Sequence, residues 1–147
     1  MLPKVSCIMP TCFGDQFVEA AIKCFLDQNY EGEKELVIVD NNDQPTCSTE
    51  WVELGFKYIR SKRKPVGALR NEGIKEATGE IICIFDEDDW HAPNRITQQV
   101  NRLIESGCAV TGWHGLLYFD DVRGATYRYN CHQGDVGKYA VGASQCF

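Results

Sequence analysis

Residues 81–85 (Ile-Ile-Cys-Ile-Phe) are an unbroken apolar run of strand length, and four acids follow at once: Asp86, Glu87, Asp88 and Asp89. A run this rich in β-branched residues, without polar alternation, predicts a strand buried on both faces. Four like charges at the mouth of such a strand raise one another's pKa. A divalent cation removes that cost, and hard carboxylate oxygens suit Mg²⁺ or Mn²⁺. In open α/β sheets, ligands also bind at the carboxyl ends of the strands. The same residues suit a plain acidic surface turn with Trp90 and Pro93 packed beneath it.

The chain before this stretch alternates strand and helix. Residues 4–9 read as a first strand ended by Pro10, with a loop at 11–14. From Asp15, a candidate N-cap, the apolar residues Phe17, Ala21, Cys24 and Phe25 fall at helical spacing. Residues 36–39 (Leu-Val-Ile-Val) are a second buried strand, closed by the turn chemistry of Asp40-Asn41-Asn42-Asp43. Strand, helix, strand in that order is a βαβ unit with a parallel pair. A weak helix at 49–54 and a short strand at 56–59 come next. A helix at 68–78 then carries Leu69, Ile74 and Ala77 inward and stops at Gly79. After the acids, Pro93 suits a first helical position. Ile96, Val100, Leu103 and Ile104 mark an amphipathic helix that ends at Gly107.

Past Gly107 the pattern changes. Short strand-like runs at 110–113, 116–119 and 125–129, separated by turns, predict antiparallel hairpins, and 141–147 suits one more strand. The expected fold class is therefore α/β: a mostly parallel sheet flanked by helices, with a small antiparallel β-rich part. The 147 residues suit a single domain, with an α/β part at 1–107 and a β-rich tail at 108–147.

Four classes are disfavoured by composition and pattern. No run reaches the roughly 18 apolar residues of a membrane span, and residues 1–4 lead straight into a strand without a signal-peptide pattern. A net charge of −6 argues against a nucleic-acid surface, although Lys57, Arg60, Lys62, Arg63 and Lys64 form one basic cluster. That cluster suits either a solvated loop or a patch facing phosphates. The eight cysteines show no zinc-ligand spacing. Cys7, Cys24 and Cys83 sit at core positions, which predicts reduced thiols and a cytoplasmic chain.

Five segments in order carry a resemblance: 5–11 (Val-Ser-Cys-Ile-Met-Pro-Thr), 35–46 (Glu-Leu-Val-Ile-Val-Asp with its Asn-Asn-Asp-Gln-Pro-Thr tail), 67–71 (Gly-Ala-Leu-Arg-Asn), 77–86 (Ala-Thr-Gly-Glu-Ile-Ile-Cys-Ile-Phe-Asp) and 86–90 (Asp-Glu-Asp-Asp-Trp). Together the chain resembles a family 2 glycosyltransferase with the GT-A, Rossmann-like fold. The resemblance implies a nucleotide-diphosphate-sugar donor of UDP type and a Mn²⁺ or Mg²⁺ ion. Pro10, Thr11, Asp40, Asn42, Arg70, Asp86 and Glu87 would bind the nucleotide sugar. Asp40 would accept a hydrogen bond from the base, Arg70 would reach a phosphate oxygen with its planar fork, and Asp86 would hold ribose hydroxyls. Asp88 would ligate the metal, with Asp86 and Asp89 as further ligands. Each residue also has a structural reading: Asp40 as a turn cap, Thr11 as a loop residue, Arg70 as a partner of Glu72 or Glu76.

In the resembled family a carboxylate well downstream of the acids serves as general base. Here 141–147 resembles the entry to the acceptor region and no Glu-Asp pair follows, so Asp120, Asp121 and His114, with Asp135, are the candidates. Asp120-Asp121 also reads as a turn and His114 as a structural histidine. Two functions follow. One is a metal-dependent, inverting glycosyltransferase acting on an unidentified acceptor (glycan, protein, lipid or modified nucleic acid). That enzyme would complete its acceptor site with the β-rich tail or with a second copy of itself. The other function is a nucleotide-sugar-binding module whose catalytic half lies on another chain or has been lost.

Overall fold

The computed structural model describes residues 1–12, 15–46, 49–62, 65–113, 115–120, 122–130 and 145–146. Its elements run β1 (Val5–Thr11), α1 (Asp15–Leu26), β2 (Lys34–Asp40), α2 (Thr49–Glu53), β3 (Lys57–Arg60), α3 (Val66–Glu76), β4 (Ile81–Ile84), α4 (Arg95–Ser106), β5 (Thr111–Gly112), β6 (Gly115–Asp120), β7 (Ala125–Asn130) and β8 (Gln145–Cys146). Six strands form one sheet in the order β3-β2-β1-β4-β8-β5, and β6 and β7 form a separate hairpin. The first four are parallel, while β8 runs antiparallel to both β4 and β5. This is the expected α/β architecture, with the antiparallel pairing confined to the later part.

Side-chain alternation along the strands divides the core between two faces. Val5, Cys7 and Met9 of β1, Leu36 and Ile38 of β2, and Cys83 and Phe85 pack against Val18, Ala21, Ile22 and Phe25 of α1 and Ile96, Val100 and Leu103 of α4. Ile8, Val37, Val39 and Ile84 meet Leu69 of α3 on the other face. Helix α3 lies so close that a Cβ at Gly73 would stand 2.6 Å from Cγ2 of Ile8.

Several local expectations are corrected. Strand β1 continues through Pro10 to Thr11, paired with Val39 and Asp40 of β2. Its pairing with β4 ends at Ile8, so beyond that point β1 has one neighbour and a proline costs no ladder bond on the open side. Gly79 is not a left-handed helix stop: α3 ends at an extended Ala77, and a Cβ at Gly79 would come within 2.6 Å of the Ser6 backbone nitrogen. Close approach to β1 is what requires glycine there. Gly107, by contrast, is the left-handed C-cap expected of it, with φ 64°.

Pro93 precedes the N-cap Asn94 and is not itself helical. Ile104 and Phe17 are exposed, while Arg95 and Gln99 of α4 are buried. Trp90 is 79% exposed and does not pack beneath the acidic turn. Among the described residues, Cys12, Cys24 and Cys108 are free thiols, and no helix is long and apolar enough to cross a membrane.

Candidate functional site

The sheet reverses its order beside β1: the chain passes from β1 outward to β2 and β3, then returns to place β4 on the other flank. A crevice opens at such a switch point, outside the carboxyl ends of the two central strands. Thr11 and Cys12 close β1, and residues 85–89 follow β4, so the acidic stretch stands at the crevice.

Glu87 turns inward and ties these ends together. The Thr11 hydroxyl donates to its Oε2 at 2.5 Å, and the Cys12 backbone N–H donates to Oε1 at 2.8 Å. Glu87 and Thr11 are both buried. A carboxylate held by two donors fixes the gap between β1 and β4.

Asp40, at the end of β2, is fully buried. Its Oδ1 accepts from the Asn42 backbone N–H (2.7 Å) and Nδ2 (2.9 Å). Oδ2 accepts from the Thr46 N–H and hydroxyl (both 3.0 Å), from the Tyr58 hydroxyl and from Arg60 Nη1 (2.9 Å). Burial alone would raise its pKa, but the hydrogen bonds from Tyr58, Thr46 and Asn42 outweigh it and bring the carboxyl down to about 2. Six donors fill the roughly four lone-pair sites of a carboxylate, so in this conformation Asp40 organises residues 41–46. Asn42 also lies 3.5 Å from the Thr11 hydroxyl, which joins Thr11, Asp40, Asn42 and Glu87 into one network beside Pro10.

Tyr58, Arg60 and Thr46 are partners that sequence reasoning missed. The signal was the period of two in β3, which puts residues 58 and 60 on one face next to a parallel β2. The basic cluster is correspondingly split. Arg60 serves Asp40 and Lys57 pairs with Glu35 at 3.3 Å, while Arg63 and Lys64 lie outside the described residues.

Arg70, on α3, approaches the crevice from the opposite face. Its Nη2 donates to both oxygens of Asp86, at 2.9 and 2.6 Å. Its Nε is buried without a hydrogen-bond partner. A buried guanidinium N–H left over after the ion pair is an unsatisfied donor, which costs free energy unless something pairs with it. Asp88 and Asp89 are exposed. Neighbouring protein atoms and the charges of Asp86 and Asp88 together raise the Asp89 carboxyl pKa. Among the described residues no three His, Cys, Asp or Glu side chains converge into a metal cage. A hard cation held by one or two carboxylates, with phosphate oxygens completing the shell, does not need such a cage.

A second missed network supports the acids from beneath. His91 Nδ1 accepts from Arg95 Nη1 at 2.8 Å, so Nε2 carries the proton and donates to the Asp86 carbonyl at 3.1 Å. Burial and the Arg95 charge lower the His91 pKa to about 4, which keeps the ring neutral at pH 7. Arg95 also donates to the Ile84 carbonyl and, at 3.1 Å, to Gln99 Oε1. Its guanidinium lies 5.2 Å from the Phe85 ring centroid. Arg95 and Gln99 stand one turn apart on α4, whereas His91 precedes the helix, so helical spacing relates only the first two.

Of the candidate bases, Asp120 ends β6 with Oδ1 accepting from the Arg123 N–H (3.0 Å) and Oδ2 from Arg123 Nη1 (2.9 Å). It caps its own hairpin turn. His114, Asp121 and Asp135 lie outside the described residues.

A mostly parallel sheet with an acid-rich loop at its switch point defines an open α/β domain with a crevice at that point. The chain belongs to glycosyl transferase family 2, whose description matches residues 6–139. It is similar to an uncharacterized glycosyltransferase of Rickettsia felis, with 32% identity over 131 residues, covering 86% of this chain and 22% of the relative. It is also 35% identical over 131 residues to a putative colanic acid biosynthesis glycosyl transferase, WcaA of Escherichia coli, covering 81% of this chain and 43% of that one. The chain thus spans less than half the length of either relative.

Two solved structures share the fold. One is a mannosyltransferase from Pyrobaculum calidifontis in complex with GDP-Man and Mn²⁺, with TM-score 0.68 and 24% identity over 76% of this chain and 35% of that one. The other is S. aureus TarS 1–349 in complex with UDP, with TM-score 0.67 and 19% identity over 98% of this chain and 46% of that one. The architecture is therefore GT-A.

Proposed function

We propose that this chain binds a nucleotide-diphosphate sugar of UDP type across the carboxyl ends of β1 and β4 and transfers the sugar to an acceptor hydroxyl. The observation that carries the reading is Arg70. It is locked onto Asp86 at 2.6 Å and has a second guanidinium N–H buried without a partner, beside exposed carboxylates suited to a cation. Anion and cation sites side by side match a metal-bound diphosphate. Family membership supports the reaction class, and the complexes of the two structural neighbours support a nucleotide donor.

Thr11, Asn42 and the loop ordered by Asp40 line the nucleoside end. Arg70 binds a phosphate oxygen. Asp88, aided by Asp89 or Asp86, would hold Mn²⁺ or Mg²⁺, and such an ion would supply Lewis-acid stabilisation of the departing diphosphate. In an inverting transfer the acceptor oxygen bonds to the anomeric carbon as the bond from that carbon to the diphosphate oxygen breaks. The diphosphate leaves with the electron pair, and the acceptor proton passes to a carboxylate or imidazole base. Free thiols at Cys12, Cys24 and Cys108 support a reducing, cytoplasmic setting.

A second reading, a donor-binding module completed by another chain, is favoured by one observation: the Asp120 carboxylate is already bound by Arg123. Calorimetric titration with UDP and GDP, with and without Mn²⁺, followed by turnover assays on UDP-sugars, tests both. Mn²⁺-dependent UDP binding with turnover is expected. Binding without turnover selects the module, and absence of nucleotide-diphosphate binding overturns the donor site itself.

A further inference from the structure

Next to the acidic stretch a cleft of about 820 Å³ opens between residues 89–98 and the β6–β7 hairpin. Trp90, Trp113, Tyr118 and Phe119 line it. All four are substantially exposed, Trp90 at 79% and Trp113 at 39%. Neither tryptophan serves the core, and nothing in the donor site described above uses them. Exposed aromatic faces gathered around one concavity, within the volume range of about 300–1,000 Å³ usual for small-molecule sites, mark a ligand site.

The lining chemistry narrows the ligand. Aliphatic side chains are nearly absent from the walls, with Leu117 the main one, which disfavours an alkyl chain. Polar groups stand among the rings: Asn94 and Gln98 at the start of α4, and Thr126 on β7. An aromatic face is negative and attracts electropositive C–H groups, while amides and hydroxyls at its edge pair with hydroxyls. A pyranose ring presents both surfaces at once, with C–H groups on its faces and hydroxyls around its rim. Asp89 lies on the same wall, so an occupant of the cleft adjoins the acids proposed to face the donor.

We propose that this cleft binds a saccharide stacked on Trp90 and Trp113, making the acceptor class a glycan. The assignment of the cleft as acceptor side rests on the donor reading above; the binding of saccharide does not need a donor and is tested without one.

The test titrates the purified chain with tetrasaccharides of β-linked glucose, β-linked N-acetylglucosamine and α-linked mannose, without nucleotide, reading tryptophan fluorescence. Vesicles of phosphatidylcholine and phosphatidylglycerol are run in parallel. Saturable quenching by at least one saccharide is expected. Trp90→Ala, a change at an exposed position, should weaken the affinity at least tenfold, and Trp90→Phe should recover most of it. Unchanged affinity in Trp90→Ala, binding to vesicles but not to saccharides, or binding to neither overturns the proposal. UDP affinity with Mn²⁺, measured on the wild-type chain, reports separately on the donor reading.

Discussion

One guanidinium nitrogen of Arg70 spans both carboxylate oxygens of Asp86, at 2.9 and 2.6 Å, across 16 residues of sequence. This contact clamps α3 to the segment after β4 and directs Asp86 toward the protein, while Asp88 and Asp89 face solvent. The three aspartates are therefore not equivalent: Asp86 is held in an ion pair, and Asp88 and Asp89 are exposed.

Asp88→Ala should abolish the Mn²⁺-dependent part of nucleotide-diphosphate affinity. Stability should change by no more than about 0.5 kcal/mol, the usual range for a surface substitution. Calorimetry with and without Mn²⁺, alongside urea unfolding, checks both. Retained metal dependence would remove Asp88 from the site.

Replacing Arg70 by Ala leaves Asp86 without its cation. The pair is 28% and 13% exposed at its two side chains, between the surface and buried limits, so a loss of about 1–3 kcal/mol is expected. Arg70→Lys should keep part of that stability but still lose nucleotide-diphosphate affinity, because an ammonium cannot serve Asp86 and a phosphate with one planar fork. Equal affinity for Lys and Arg variants would count against the phosphate contact.

Acid should weaken the fold through Asp40. Its folded pKa of about 2 lies below its ordinary 3.8, so its contribution is complete above about pH 4 and disappears as pH falls toward 2. The shift corresponds to about 1–2 kcal/mol after allowing for solvent screening at Arg60, which is 40% exposed. Urea midpoints of the wild type and Asp40→Asn, compared at pH 7 and pH 3, should converge in acid. A gap independent of pH would refute the linkage.

Two glycines of α3 should respond in opposite senses. At Gly73 an added methyl meets Ile8 Cγ2 at 2.6 Å and Val39 Cγ2 at 3.0 Å, so Gly73→Ala should cost about 1–3 kcal/mol through overpacking. Gly67 has no atom within 4 Å of its virtual Cβ, and Gly67→Ala should stabilise by about 0.4–1 kcal/mol. Thermal melts of the two variants decide the matter.

Removing Arg95 should be the most damaging single change at the site. Its guanidinium is buried and holds His91, Gln99 and the Ile84 carbonyl together. Arg95→Ala is expected to cost about 3 kcal/mol or more, because His91 and a strand-end carbonyl lose their partner. Urea denaturation measures it, and a loss below about 1 kcal/mol would mean that water substitutes for the guanidinium.

Short-range pattern determined the elements of this protein. The apolar runs that became β1, β2 and β4, the spacing of Ile96, Val100 and Leu103, and the left-handed stop at Gly107 are local properties, and the chain displays them one residue at a time. The run from Asp86 to Asp89 was legible as a candidate because it follows a buried strand, whereas Asp40 and Arg70 were candidates through the family resemblance. Tertiary structure alone decided which partner each would meet. Arg70 faces Asp86, Glu87 turns inward to Thr11, and Tyr58 and Arg60 enclose Asp40, because parallel strands and packed helices bring together distant groups, which periodicity places on a face without naming the partner. Arg95 shows the limit most plainly: its burial depends on His91, Gln99 and Phe85 arriving around it, and no local pattern prices an ion whose neighbours come from the fold.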